Sequence, residues 1–258
     1  MGSNLYLWNP ATSSDLKAIP ASPSRCRAES SAARADFWFQ QVGFGFDSVS
    51  NDFKVVTLVD EDEDGLLEAE MYSLKSGCWR PLDMSVNFEL HLVSQSAALD
   101  GIFLWYDDGD GIYMDDRIVA FDFSKEEFVT MTFPDTSFFC NYEEDARTLT
   151  KLKGSVAMVL FPEEEEEYMY LDIWVMLEFG VSESWTRLLS IDLPSHLERP
   201  LGFWKNGELF MQNRERQLVL YDLLSRTETN LQFEGYRGTL KVVDCNFVQF
   251  EGMAPCLS

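Results

Sequence analysis

Several features typical of secreted, membrane-inserted or disulfide-stabilised proteins are missing from this chain of 258 residues. It has five widely spaced cysteines, with no C-x-x-C pair and no N-x-S/T sequon. This pattern favours a reducing compartment, the cytosol or the nucleus. No apolar run approaches the roughly 20 residues that cross a bilayer, and residues 1–4 do not begin a signal peptide.

Basic residues are scarce. Asp and Glu total 44 against 20 Lys plus Arg, which gives a formal net charge of −24. Such a surface repels phosphate groups, so we expect neither nucleic acid nor an anionic membrane as a partner. A basic protein is the natural complement, because long-range attraction raises its rate of encounter. The alternative is that the acidity only maintains solubility.

Catalytic signatures are also missing. The two histidines, His91 and His196, lie far apart, and the sequence contains no H-E-x-x-H, G-x-S-x-G, P-loop or G-x-G-x-x-G pattern. Glycosidases need two carboxylates held at a fixed separation. The sequence gives no sign that the carboxylates in its glycine-rich turns are held in that way. We therefore predict a protein that is not an enzyme and has no cofactor or metal.

What the chain does have is a repeated hairpin pattern. A short apolar or aromatic strand leads into a turn, and a second run begins roughly five to eight residues later with a large hydrophobe. The leading strands of the five copies are Leu5–Trp8, Met71–Leu74, Val119–Phe123, Ile173–Met176 and Val219–Asp222. The copies recur at roughly 47 to 64 residues, a period typical of propeller blades. The pattern predicts an all-β propeller.

Other strands are expected between these hairpins. Asp100-Gly101 and Asn206-Gly207 separate apolar runs, which is a strong signal for a tight hairpin. Each blade would then combine an inner and an outer hairpin. Residues 20–36, rich in Ser, Ala and Pro, are predicted to form a mobile loop, and residues 246–258 an irregular tail.

Acidic loops and one tryptophan are the candidate partner-binding residues. Acidic runs lie between predicted strands and should extend into solvent through mutual repulsion. Trp38 lies between two phenylalanines at the end of the loop, where a ring could serve as an anchor. The candidates are Trp38, Asp60, Asp62, Asp64, Asp107, Asp108, Asp110, Glu163 and Glu165.

One acidic run has a second interpretation. Asp60-x-Asp62-x-Asp64-Gly65 matches the first half of a calcium-binding loop. However, Met71 stands where the closing Glu is needed, and the flanks read as strands rather than helices. We therefore prefer a solvated acidic hairpin tip to a calcium site.

Three stretches carry a family resemblance: Leu7–Thr12, Val42–Val56 and Met71–Arg80. They resemble the F-box-associated domain of plant F-box proteins. The likeness continues in order from about residue 5 to about residue 244. Within it, the stretch of residues 174–186, from Trp-Val-Met to Ser-Trp-Thr, is similar to that of S-locus-type F-box proteins of self-incompatibility.

This resemblance implies a kelch-like β-propeller that captures a protein substrate for a cullin-RING ubiquitin ligase. Residues 1–258 would be one such domain. In the family an N-terminal F-box docks to the ligase adaptor. We expect this chain to lack that F-box, and its N-terminal blade to be incomplete.

Two alternatives stay open. Without an F-box the chain could act as a decoy or scaffold that binds a basic partner without marking it. A carbohydrate-active propeller enzyme is the more remote alternative. The substrate, the number of blades, the oligomeric state and the origin of the expected truncation are not specified by the sequence.

Overall fold

The computed structural model describes residues 5–8, 16–23, 40–60, 67–84, 96–107, 116–133, 147–161, 170–204, 207–234, 240–244 and 247–250. These residues are almost all strand and turn. The chain divides into two compact units, residues 1–92 and 93–258, and each is described by itself.

The first unit contains a two-stranded and a four-stranded antiparallel sheet. Its strands are β1 Leu5–Trp8, β2 Leu16–Ile19, β3 Gln40–Asp47, β4 Asp52–Asp60, β5 Leu67–Ser73 and β6 Cys78–Leu82. Strands β3 to β6 pair in chain order. Ile19, Val55 and Tyr72 form the buried centre of a cluster that joins the two sheets.

In the second unit the described residues form three four-stranded sheets and one two-stranded sheet, again antiparallel and paired in chain order. The first two sheets comprise β7 Ser96–Leu99, β8 Ile102–Asp107, β9 Arg117–Asp122, β10 Glu127–Thr132, β11 Arg147–Leu152, β12 Ser155–Leu160, β13 Tyr170–Met176 and β14 Trp185–Asp192. The last two comprise β15 Leu197–Phe203, β16 Leu209–Asn213, β17 Gln217–Asp222, β18 Thr227–Glu234, β19 Leu240–Asp244 and β20 Phe247–Phe250.

The first strands of neighbouring sheets lie side by side in the second unit. Strand β11 contacts both β7 and β15, and β15 contacts β19. The hydroxyl of Thr148 donates to the carbonyl of Pro200 at 3.0 Å, and the amide of Phe203 donates to Thr150 Oγ1 at 3.3 Å. These bonds satisfy buried polar groups and fix how the sheet of β11 meets the sheet of β15.

Large apolar side chains fill the space between the sheets. Leu171, Ile173 and Tyr221 belong to a cluster shared by β11–β14 and β15–β18. Leu104 and Met158 belong to a second cluster, shared by β7–β10 and β11–β14. Sheets that bury both faces in this way need hydrophobes at successive positions, which explains runs such as β12, where Val156 to Leu160 are all buried.

Three outer strands carry features that discourage pairing with another chain. Strand β6 contains Pro81, which cannot donate a hydrogen bond. Strand β14 has an extra residue, Leu188, opposite the step from Ile173 to Trp174 on β13. Gln232 in β18 has a positive φ of 61° beside a register shift. Bulges twist an edge away from potential partners.

The structure differs from the sequence-based expectations at two places. The carbonyl of Pro20 accepts a hydrogen bond from Trp79 Nε1 at 2.8 Å and Ser22 is buried, so the start of the expected mobile loop is held in place. Residues 24–36 lie outside the described residues. Phe247–Phe250 forms β20 against β19, so these four residues are not part of an irregular tail.

Candidate partner-binding surface

Most of the predicted contact residues fall outside the described residues. These are Trp38, Asp62, Asp64, Asp108, Asp110, Glu163 and Glu165. Asp60 ends β4, and β5 follows the connection, so the flanks of the calcium-like run are strands as expected. Asp107 is the one candidate whose side chain is described.

Asp107 is buried rather than presented to solvent. Its Oδ2 accepts from Arg117 Nε at 2.7 Å, and the two residues are cross-strand partners at the ends of β8 and β9. This ion pair closes the base of the acidic connection 108–116. Asp107 is therefore a structural residue of the sheet, and we leave it out of the proposed contact surface.

A second arginine ties the same connection to the neighbouring sheet. Arg147, the first residue of β11, donates from Nη1 to Asp116 Oδ2 at 2.7 Å and also to the hydroxyl of Tyr106. All three side chains are largely buried. Burial raises the pKa of Tyr106, more than the adjacent Arg147 guanidinium lowers it, so the phenol stays neutral.

Arg147 marks one end of the sheets, from which the acidic connections leave. It pairs with Leu160, the last residue of β12. The connections 108–116, 134–146 and 162–169 therefore all begin or end near this guanidinium. They contain four, four and five acidic residues respectively and no basic residue. The strand ends that flank these three acidic connections thus lie at one end of the second unit.

At the opposite end of these sheets, Asp100 and Asp122 contact groups of the protein itself. Lys151 Nζ contacts Asp100 Oδ1 at 2.8 Å, which joins the first turns of two neighbouring sheets. Asp122 Oδ1 accepts from the amides of Ser124 and Lys125 at 2.9 and 3.0 Å and so shapes the β9–β10 turn.

Asp222 has the same role in the β17–β18 turn. Its Oδ1 accepts from the amides of Ser225 and Leu224, and these bonds lower the pKa of Asp222. An Asp after an apolar strand and before a turn is a readable signal for such caps. Our sequence interpretation did not use it.

Sequence reasoning also missed a set of exposed apolar side chains. Phe46, Val49 and Phe53 lie at one hairpin of the first unit, and Leu177 and Leu224 lie at turns of the second. The repeat pattern assigned such residues to strands and turns without distinguishing buried from exposed positions. Only cross-strand registers and neighbouring sheets reveal which ones remain uncovered.

The described residues offer neither a metal site nor a membrane-spanning helix. They contain no group of three or more His, Cys, Asp or Glu side chains placed to hold a metal ion. Across that same part of the chain, no helix has the length and apolar character needed to cross a membrane. His196 contacts Glu228 at 2.7 Å on the surface, and His91 lies outside the described residues.

Comparison with known protein families shows which family this chain belongs to. The family described as F-box associated beta propeller domain matches residues 1–255. The chain belongs to this family. The sequence-based prediction of an all-β, kelch-like propeller is thereby confirmed, and the four-stranded antiparallel sheets are its blades.

Similar curated proteins are F-box proteins of Arabidopsis thaliana. F-box protein CPR1 is 26% identical over 94% of this chain and 60% of its own length. An F-box/kelch-repeat protein is 29% identical over 85% of this chain and 56% of its own length. The chain therefore spans less than two thirds of these relatives. The likeness to S-locus-type proteins in particular stays a prediction.

Solved structures with a similar backbone are propellers. The six-bladed Aleuria aurantia lectin gives a TM-score of 0.47 at 12% identity, covering 79% of this chain and 66% of the lectin. The Dos1 propeller gives a TM-score of 0.41 at 9% identity, covering 74% of this chain and 45% of that protein.

Proposed function

We propose that this chain is the substrate-binding part of an F-box ubiquitin ligase receptor of the SCF type. Its family membership and the names of its relatives support this role. The domain would contribute binding and positioning, and ubiquitin transfer would occur on other subunits. Its cysteine usage favours the cytosol or the nucleus as the place of action.

We further propose that the protein substrate is basic. The observation that carries this is the charge of the three connections that begin or end near Arg147, which contain acidic residues and no basic ones. Opposite charge on a partner would accelerate its encounter with this end of the sheets. Of the original candidates, Asp108, Asp110, Glu163 and Glu165 belong to these connections.

We keep the remaining sequence-based candidates as proposed contact residues for a protein substrate. Trp38, Asp60, Asp62 and Asp64 belong to the first unit and stay predicted contact residues. The effect of each single substitution on the association rate can be measured alongside the substitutions in the second unit.

The experiment is a binding measurement on a captured substrate, with a charge-matched control. Asp108→Asn with Asp110→Asn removes two charges from the acidic end, and Glu178→Gln with Glu183→Gln removes two from the β13–β14 turn at the opposite end. We expect the first pair to slow association several-fold and the second to leave it nearly unchanged. Raising the salt concentration should slow the wild-type rate. Equal effects of the two pairs, or a salt-independent rate, would contradict the electrostatic mechanism.

The alternatives are separated by a second experiment. The chain is fused behind an F-box and tested for ubiquitination of the captured protein with purified ligase subunits. Ubiquitination that requires the fused F-box supports the receptor role, whereas binding without ubiquitination favours a decoy or scaffold. Sugar turnover abolished by one Asp or Glu substitution would favour the enzyme.

A further inference from the structure

The β3–β4 hairpin of the first unit ends in an exposed apolar tip. Val49 in the turn is 82% exposed, and Phe46 and Phe53 at the strand ends are 38% and 47% exposed. Phe46 and Phe53 are direct cross-strand partners. Isolated exposed hydrophobes are common, but three at the tip of one hairpin form a patch that needs an explanation.

The turn beneath this tip is fixed by a buried carboxylate. Asp47 Oδ1 accepts from the amides of Val49 and Ser50 at 2.8 and 3.2 Å. Its Oδ2 accepts from the Ser50 hydroxyl and from Lys54 Nζ, the latter at 2.6 Å. Burial would raise the pKa of Asp47, but these bonds outweigh it and hold the pKa well below its usual value.

A second carboxylate fastens the turn to the neighbouring hairpin. Asp52 accepts from the Ser73 hydroxyl and from the amide of Lys75, the latter at 2.9 Å. Lys75 Nζ in turn donates to the carbonyl of Ser50 at 3.0 Å. The turn is therefore held from both strands and from the β5–β6 side.

The phenylalanines are also held in place by one another. Phe53 stacks on Phe44 with ring centroids 5.6 Å apart and an angle of 4°, and lies 4.9 Å from the ring of Phe46. Phe44 packs against the buried cluster of Val55 and Tyr72. The exposed rings thus continue the core outward. Binding through such a preorganised patch would cost little conformational entropy.

The charge at the tip differs from that of the chain. Residues 44–53 and 74–77 contain three charged side chains: the carboxylates of Asp47 and Asp52 are buried, and Lys75 is exposed. An uncharged aromatic patch beside one ammonium group complements an apolar side chain beside a carboxylate. A second copy of this chain is disfavoured, because both copies would carry a net charge of −24.

We propose that the tip formed by Phe46, Val49 and Phe53 is a docking site for a peptide segment of a partner protein. That segment carries an aromatic or branched aliphatic side chain next to a carboxylate. The apolar side chain packs on the rings, and the carboxylate accepts from Lys75 Nζ, which has donors beyond the one it gives to Ser50. This site does not rest on the proposed function, because its ligand is acidic rather than basic.

The test is a selection from a random peptide library displayed on phage, with the whole chain as target. We expect enrichment of peptides that combine an apolar residue with Asp or Glu. Affinity of the synthesised peptides should fall at least tenfold with Phe53→Ser and with Val49→Ser, and several-fold with Lys75→Glu. Leu224→Ser, which removes a 95% exposed apolar side chain elsewhere, is the matched control and should have no effect.

Other outcomes would overturn the proposal. The proposal would be overturned if no peptide were enriched, if the enriched peptides were basic, or if Leu224→Ser weakened binding as much as Val49→Ser does. Self-association of the wild type that Val49→Ser abolishes would assign the tip to a second copy instead. Val49 contributes little buried area, so its variant should keep the wild-type melting temperature, which separates loss of binding from loss of folding.

Discussion

Arg147 at the start of β11 contacts Asp116, the residue before β9, with an Nη1–Oδ2 distance of 2.7 Å. Asp116 leads into the sheet next to that of Arg147, and the same guanidinium donates to Tyr106 on β8 of that sheet. One side chain therefore joins two blades at the end from which the acidic connections leave. The chain uses cations sparingly, and this one stabilises a junction between sheets.

Replacing Arg147 with Met should destabilise the second unit. Methionine keeps much of the apolar stem of the arginine side chain. It removes the guanidinium, which is a largely buried partner of Asp116 and Tyr106. Losing one partner of a buried pair costs about 3 kcal/mol. Urea unfolding followed by tryptophan fluorescence measures the change.

The control is Lys125→Met, which breaks the pair with Asp122 at 3.3 Å. Lys125 is 71% exposed in that pair, so we expect a change below about 0.5 kcal/mol. Comparable losses for the two variants would show that Arg147 does not stabilise the sheet junction.

Asp47→Asn should destabilise the first unit in a pH-dependent way. Because the pKa of Asp47 is depressed in the folded state, its stabilising contribution is fully present above the unfolded value of about 3.9. It is lost as the pH falls from there toward the folded value. We expect a loss of about 3 kcal/mol at pH 7 for removing the counter-charge of buried Lys54.

The measurement is the free energy of unfolding of wild type and variant from pH 7 downward. The difference between them should stay constant to about pH 4 and narrow below it. A difference that does not vary with pH would mean that the carboxylate charge is not what stabilises the turn.

Local patterns predicted the strands well, because they depend on neighbours in sequence. The turn at Asp100-Gly101 lies where the sequence places it, with Gly101 at a φ of 84°, and Gly207 of the second predicted turn has a φ of 87°. Residues suited to positive φ mark such turns independently of the rest of the fold.

The roles of particular charges could not be predicted in the same way. Asp107 looked like part of an exposed acidic loop, yet Arg117, ten residues later, makes it a buried ion pair. Arg147 meets Asp116 across 31 residues of sequence. Such pairs depend on how two sheets pack, and no local pattern encodes that. The exposed tip at Val49 can likewise be recognised only when the pairing register of β3 and β4 is known.

Thr148→Val should weaken the contact between the sheets of β11 and β15. The substitution keeps the side-chain volume but removes the hydroxyl that donates to the carbonyl of Pro200. A buried carbonyl that loses its donor costs about 1 to 3 kcal/mol. Thr186→Val, which removes an exposed hydroxyl on β14, should change the free energy of unfolding by less than about 0.5 kcal/mol. Equal values for the two threonines would argue that the inter-sheet bond has no net effect.

Phe121→Ala tests whether aromatic packing within a blade dominates its stability. Phe121 is fully buried, with its ring 5.0 Å from Phe123 and 4.7 Å from Phe128. Removing the ring leaves a cavity between β9 and β10, and such truncations cost about 3 to 5 kcal/mol. Val129→Ala on β10, at a position 40% exposed, removes side-chain volume from the same hairpin without opening an internal cavity. We expect it to cost less than about 1 kcal/mol. If denaturant unfolding gave the two variants similar losses, the blade would depend on strand pairing rather than on its aromatic interior.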